Sequence, residues 1–401
     1  METKILSAND ALISQLDYKL PASSSYIIDR DGVEFFPSGS SLYSPNGNRV
    51  IKFNLTDSNK WLDQTSVHLN GKITNLGATA KEFLPAWCLF SRMIIRAGGK
   101  IVEDIRDVGT WMQIQNKLTN ERANNEYIKA GCEALGLNLT DNKTGSKAQN
   151  ASYYFSIRLN SGLFNQAKYI PLRFLPLEVE LEIDQDTSTF TADNSTCDYS
   201  LTECSISCDL ITVDNALNDS YSKFMLEGGV IDLHMTNAFN ITHNQQSSGS
   251  LDESINISRA LSRLTSLFFT MSANNTSKNS SFLGLSGDIQ VGLKIGSKNI
   301  PNRPLKSETE IIRELQRAIA HNRDMGNSIQ LNPSQHGAGQ IVVGFDLEKE
   351  LGASYTGLST KSGELLNINV KSGDTVSRRF NIFVQYDSIL SISANGVDIY
   401  E

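Results

Sequence analysis

The residues able to bind a metal or attack a substrate are few and scattered. Five histidines (His68, His234, His243, His321 and His336) and five cysteines (Cys88, Cys132, Cys197, Cys204 and Cys208) are spread along the chain. No two histidines stand as His-x-His, the arrangement a cupin-type metal site needs on one strand, and there is no Cys-x-x-Cys pair. Cys204 and Cys208 fall on one strand face, where buried thiols are expected rather than a metal site. His68 and His234 fall on polar strand faces. Gly98-Gly99-Lys100 lacks the upstream Gly and the following Ser/Thr of a phosphate-binding loop, and Gly337-Ala338-Gly339 precedes a strand pattern, not a helix. Glu178, Glu180 and Glu182 could be read as paired acids for general acid–base work. They alternate with Leu177, Val179, Leu181 and Ile183, so a solvated or interfacial strand face is the expected role. The chain therefore reads as a non-enzyme, with no catalytic, metal or cofactor-binding residue and no cofactor.

The elements that would position any such groups are strands. Val67, Leu69 and Ile73 alternate with His68, Asn70 and Lys72. Tyr153, Phe155, Ile157 and Leu159 alternate with Tyr154, Ser156 and Arg158. The same period of two recurs at Ile289–Ile295, Ile341–Leu347, Leu366–Val370 and Phe380–Tyr386. Each run has one apolar and one polar face, the pattern of antiparallel strands packed on one side. Turn-rich stretches separate them, notably Ser44–Asn48, Leu137–Asn150, Asp184–Asp198, Ala273–Ser281 and Asn322–Gly339. Two such sheets must bury their apolar faces on each other, so the expected fold class is all-β, sandwich or jelly roll.

Few helices interrupt the strands. Ser307-Glu308-Thr309-Glu310 is a capping box before Ile311, Ile312, Leu315 and Ile319. Helices are also expected over Ile105–Leu118, over Asn120–Leu135 and, as a linker, over Asp214–Glu227. The first twenty residues could form a short amphipathic helix through Ile5, Leu12, Leu16 and Leu20.

At 401 residues the chain is too long for one closed core, and its 39% hydrophobic content suits a folded, non-membrane protein. The start carries no basic-then-apolar pattern, so secretion is not expected. A net charge of −8 with no basic stripe argues against a protein that wraps nucleic acid, and no sequence-specific nucleic-acid binding is expected. The halves echo each other. An apolar strand runs into Gly98-Gly99-Lys100-Ile101 and a helix, and another runs into Gly296-Ser297-Lys298-Asn299-Ile300 and a helix, with Gly98 to Gly296 and Lys100 to Lys298 both 198 residues apart. This suggests two copies of one β-domain. The expected division is an N-terminal arm at 1–25, a first domain at 26–214, a linker at 215–228 and a second domain at 229–401.

The order and spacing of several segments resemble those of major capsid proteins from the polinton-like virus, adintovirus and virophage group. They are Phe53–Asp63 (FNLTDSNKWLD), Phe90–Ile105 (FSRMIIRAGGKIVEDI), Ile257–Leu264 with the Phe-rich strand after it, Ile300–Leu305 before the capped helix, and Tyr386–Glu401. No single motif is as specific as a zinc signature; the set, spread over nearly the whole chain, carries the likeness. The resemblance implies a double jelly-roll, two consecutive eight-stranded antiparallel barrels. It implies homotrimers with a pseudo-hexagonal outline that tile an icosahedral shell around a double-stranded DNA genome, located in the virion and assembled inside the host cell. The partners it implies are neighbouring capsomers, a single-jelly-roll penton protein and minor capsid proteins, with an inner membrane as a further candidate contact for the N-terminal arm. A two-domain jelly-roll carbohydrate-binding protein is the alternative, since this fold hosts unrelated functions. Such a protein needs exposed aromatics, whereas Trp61, Trp87 and Trp111 sit beside strand and helix patterns as expected core or interface anchors.

Overall fold

The computed structural model describes residues 26–118, 144–245, 249–273, 282–319, 341–349, 356–361 and 365–401. The amphipathic start, the helix expected over Asn120–Leu135, Cys132, His321, His336, Gly337-Ala338-Gly339 and most of the Ala273–Ser281 and Asn322–Gly339 loops lie outside these residues.

The first half contains β1 (Ile27–Phe35), β2 (Leu42–Tyr43), β3 (Val50–Leu55), β4 (Trp61–Asn75), β5 (Phe90–Ala97), β6 (Lys100–Arg106), α1 (Val108–Leu118), β7 (Ser152–Arg158), α2 (Gly162–Asn165), β8 (Ile170–Pro171), β9 (Leu177–Ile183) and β10 (Tyr199–Val213). After α3 (Asn215–Leu226) come β11 (Ile231–Asn244), β12 (Leu251–Ile257), β13 (Leu264–Ala273), β14 (Gln290–Ile295), β15 (Lys298–Leu305), α4 (Glu308–Ala318), β16 (Val343–Asp346), β17 (Leu366–Ser372), β18 (Arg378–Ser393) and β19 (Gly396–Tyr400).

The strands form four antiparallel sheets. Two, in the orders β1-β10-β4-β7 and β3-β9-β5-β6, belong to the first half; two more, β11-β18-β13-β16 and β12-β17-β14-β15, belong to the second. If the eight strands of these paths are numbered in chain order within each half, both halves read 1-8-3-6 against 2-7-4-5. That is one jelly-roll topology, used twice. The short β2 and β8 add to the first sheet, and β19 folds back onto β18. The two glycine hairpins occupy equivalent places, β5–β6 and β14–β15, and each is followed by a helix. Gly98 (φ 56°), Gly99 (φ 83°) and Gly296 (φ 54°) supply the left-handed backbone these turns require.

The alternation in the sequence becomes alternating burial. Leu177, Val179, Leu181 and Ile183 of β9 are buried, while Glu178, Glu180 and Glu182 between them are half-buried. The same holds for Val67, Leu69 and Ile73 of β4 and for Tyr153, Phe155 and Ile157 of β7. Two elements depart from this pattern. β13 is buried over nine consecutive residues, and in β18 both Ile382 and Phe383 are fully buried. Their outer faces are covered by another layer, which alternation within a strand cannot reveal.

The helices start where their caps are. α1 begins at Val108 rather than Ile105, because Ile105 and Arg106 complete β6 and Asp107, at φ 50°, turns the chain. The Asp214 side chain accepts from Ala216 N at the start of α3. Ser307 accepts from Glu310 N, and the Glu310 carboxylate reaches back to Lys306 N at 2.8 Å, a variant of the capping box.

Candidate functional surface

The candidate chemistry of the sequence resolves into structural roles. Glu178 and Glu180 pair with Arg96 at 2.6 and 3.0 Å, Lys52 lies 3.0 Å from Glu180, and Glu182 pairs with Arg49 at 3.3 Å. The row is an ion ladder on the outer face of β9. Burial alone would raise the Glu180 pKa, but hydrogen bonds from Lys52 and Arg96 prevail and hold it below the usual range. Cys204 and Cys208 are buried, which pushes both thiols up to about 12 and keeps them unreactive. His68 Nδ1 lies 2.9 Å from Ser66 O, and His243 meets Glu253 at 3.0 Å. Among the described residues no group of three His, Cys, Asp or Glu could hold a metal ion. A cleft of about 590 Å³ is lined by Ile101, Ser262, Arg263, Lys361 and Glu401, with the Ser262 hydroxyl and Lys361 Nζ both donating to Glu401 O, and a smaller one of about 210 Å³ lies beside Trp87, Met112 and Arg158.

The built feature of the molecule is the seam between the two halves. It joins β6, α1 and α2 of the first barrel to the outer face of the β11-β18-β13-β16 sheet of the second. Trp111 of α1 lies on Phe383 (centroids 5.1 Å apart) and Phe268 (6.4 Å). Polar groups at the seam are matched across it. Asn237 Nδ2 donates to Val102 O at 3.0 Å, while Thr242 Oγ1 and Arg379 Nη2 donate to Asp107 Oδ2 at 3.2 and 3.1 Å. Lys117 Nζ stands 5.5 Å from the centre of the Phe282 ring. At the hairpin tips, Lys100 pairs with Asp398.

Glu103 of β6 is the most deeply committed charge-bearing group at the seam. Its side chain is buried and accepts from Gly162 N at 3.1–3.2 Å, with Ala238 N on β11 and the Ser161 hydroxyl close enough to favour its ionised form. One carboxyl thus ties together β6, the start of α2 and the second barrel. Burial raises its pKa to about 7, against the opposing pull of those three donors. Gly162 has no room for a side chain, because a Cβ there would stand 2.4 Å from Thr236 O and 2.5 Å from Asn237 Oδ1. Gly162→Ala is therefore expected to lower stability by about 1–3 kcal/mol through forced separation of α2 from β11. Urea unfolding measures this; an unchanged midpoint would show that the contact is loose.

None of Glu103, Asp107, Gly162 and Asn237 was picked out by sequence pattern. Asp107 fell inside the helix expected over Ile105–Leu118, where nothing marked it as the turn between strand and helix. Trp111 was legible as a core or interface anchor and is buried at the seam. Trp87 is buried within the first barrel's side of the structure, and half-buried Trp61 packs tilted against Tyr221, centroids 5.1 Å apart, and donates to Asn218 of α3 at 3.1 Å.

No known family profile matches the sequence, and no curated protein does either. Solved structures do match over nearly their whole length. PBCV-1 VP54, as fitted into a cryo-EM reconstruction of the virophage Sputnik, aligns with TM-score 0.67 at 11% identity, over 96% of this chain and 99% of that one. The Faustovirus major capsid protein aligns with TM-score 0.62 at 8% identity, over 96% and 93%. The mavirus major capsid protein aligns with TM-score 0.56 at 12% identity, over 100% and 95%. The fold is a double jelly-roll. At such identities the likeness is one of backbone path and leaves the side chains of this double jelly-roll to be read on their own. Those side chains build its seam from an aromatic centre and a rim of matched polar groups.

Proposed function

We propose that this protein is a viral major capsid protein. The observation that carries the proposal is the alignment of almost the whole chain with capsid proteins of two viruses, with neither half left over. In this reading the chain divides into an arm (1–25), a first barrel (26–214), a linker (215–228) and a second barrel (229–401). Three copies give six barrels. A three-fold object then has a nearly six-fold outline and packs hexagonally on an icosahedral shell around a double-stranded DNA genome. Its partners are other copies, neighbouring capsomers, a penton protein, minor capsid proteins and an inner membrane where one exists. Its place is the virion, after assembly inside the host cell. It performs no catalysis. A net charge of −8 leaves genome condensation to other proteins or counter-ions.

The test is the mass and shape of the pure protein. Light scattering is expected to give three times the 44.2 kDa chain or larger assemblies, with hexagonal capsomers visible by electron microscopy. A clean monomer retained on a glycan column would overturn this reading in favour of the carbohydrate-binding alternative. Trp87 and Trp111 are buried and cannot stack on a sugar, so that alternative would have to use exposed rings such as Tyr154 or Tyr169.

A further inference from the structure

Asn-Gly occurs three times in the chain, at Asn46-Gly47, Asn70-Gly71 and Asn395-Gly396. In such a pair the main-chain nitrogen of the glycine can reach the asparagine Cγ, because no side chain on the glycine stands in the way. The three pairs share one chemistry and sit in three different surroundings.

Asn70 lies in β4, which is paired on both sides, to β10 and to β7. Its Nδ2 donates to Ser207 Oγ at 3.0 Å, and Gly71 is hemmed in, since a Cβ there would stand 2.7 Å from Phe155 Cζ. Ring closure at Asn70 would need the strand to leave its sheet. Asn46 is exposed, but its amide is held, with Nδ2 donating to the Asp198 carboxylate at 3.1 Å. That negative charge also opposes loss of the Gly47 N–H proton. Asn395 stands in the turn between β18 and β19, with Ala394 and Gly396 exposed beside it. Among the described residues no side-chain hydrogen bond holds its amide. Gly396 is open to approach, for a Cβ placed there would meet nothing within 4 Å.

We propose that Asn395 is a site of spontaneous deamidation, set where the two barrels touch. The main-chain nitrogen of Gly396 gives its proton to hydroxide and attacks Asn395 Cγ. The new C–N bond closes a five-membered succinimide. The bond from Cγ to Nδ2 breaks, and ammonia leaves with a proton taken from water. Water then opens the ring at one of its two carbonyls. Opening at Cγ leaves aspartate. Opening at the main-chain carbonyl leaves isoaspartate, whose chain runs through Cβ and Cγ and is one atom longer. Nothing is oxidised or reduced.

The tip of this hairpin belongs to the seam. Val397 is buried and fills the space that Gly98 leaves, since a Cβ at Gly98 would stand 2.6 Å from Val397 Cγ2. Asp398 pairs with Lys100. The turn itself is closed, with Ser393 and Gly396 as its last rung and the Ser393 hydroxyl donating to Gly396 O at 3.1 Å. An added main-chain atom in so short a turn displaces Val397 from Gly98. A new charge on the exposed side chain of residue 395 does not.

The full chain is kept warm at mildly alkaline and at mildly acidic pH and sampled by peptide mass spectrometry. A mass gain of about 1 Da marks the exchange of an amide for an acid. The gain is expected first at Asn395, faster at the alkaline pH. It is expected about tenfold or more slower at Asn46, the effect of one unit in the acidity of the attacking N–H. Asn70 is expected to stay intact, and Asn395→Gln, which would have to close a larger ring, to lose the signal at its peptide. Labelling by an isoaspartyl methyltransferase identifies the lengthened chain. That form is expected to unfold at a lower urea midpoint than the fresh protein, while Asn395→Asp matches the fresh protein. An Asn395 that stays unmodified, or modification as fast at Asn46 or Asn70, overturns the site. An isoaspartyl form with the midpoint of the fresh protein overturns its link to the seam.

Discussion

Trp111→Ala is expected to cost about 3–5 kcal/mol of stability, the range for removing a large aromatic from a closed interior. The indole is buried between α1 and the second barrel, and its ring sits 5.1 Å from Phe383 and 6.4 Å from Phe268. Those two rings lie opposite each other on β13 and β18 and have no second aromatic from the first barrel to replace the lost one among these contacts. The cavity cannot close by collapse of one side chain, because its walls belong to two separate barrels whose spacing is set by the polar rim at Asp107 and Glu103. The urea midpoint measures the effect, read with an unchanged slope. Trp61→Ala is the comparison. That ring is half-buried against Tyr221 on α3, so a smaller loss is expected. A Trp111→Ala loss no larger than that of Trp61→Ala would mean that the seam is held by its rim and not by its centre.

The second large effect is a dependence on pH that runs opposite to ordinary acid denaturation. Glu103 carries a pKa of about 7 in the folded chain against 4.5 as the reference for an exposed glutamate. Below 4.5 both states are protonated and the seam has its full stability. Between 4.5 and 7 the unfolded chain releases this proton while the folded chain keeps it, so stability falls as pH rises. Above 7 both states are ionised and the loss levels off. The whole step is about 3 kcal/mol. Other groups titrate in the same window, so the wild type alone does not isolate it. Glu103→Gln does, since it keeps a neutral acceptor for Gly162, Ala238 and Ser161 without the titration. The variant is expected to gain on the wild type progressively from pH 4.5 to 7 in urea unfolding. A difference between the two proteins that stays constant across this range would mean that Glu103 is ionised throughout, stabilised by its three donors.

These effects share one cause. The internal seam is a permanent interface, closed as the chain folds, so it can afford a buried aromatic centre and a buried carboxyl that a reversible contact would have to desolvate at each encounter. The outer sheet face of the first barrel instead carries the Asp63 carboxyl, buried and paired with Arg30 at 2.7 Å. Its half-buried row of Asn70, Lys72, Ser156 and Arg158 stays hydrated in the single chain.

The sequence by itself determined the strands, their inward faces and the duplication. The alternation of Leu177 to Ile183 with three glutamates, or of Tyr153 to Ile157 with polar neighbours, is a local property of a pleated chain, legible because successive side chains point to opposite sides. The 198-residue echo of Gly98 and Lys100 was legible because a left-handed turn needs glycine wherever it occurs. The start of α1 at Val108 was not, because the strand β6 holds Ile105 through its pairing with β5 and a helical pattern three residues early looks the same. The seam was not legible either. Glu103 and Gly162 are 59 residues apart, and Asp107 and Arg379 are 272 apart. The apolar runs Leu267-Phe268-Phe269 and Ile382-Phe383-Val384 break the alternation, but they do not say which layer will lie on their outer faces. Which polar faces are buried is decided only when one barrel docks on the other, because burial there depends on surfaces brought together from distant parts of the chain.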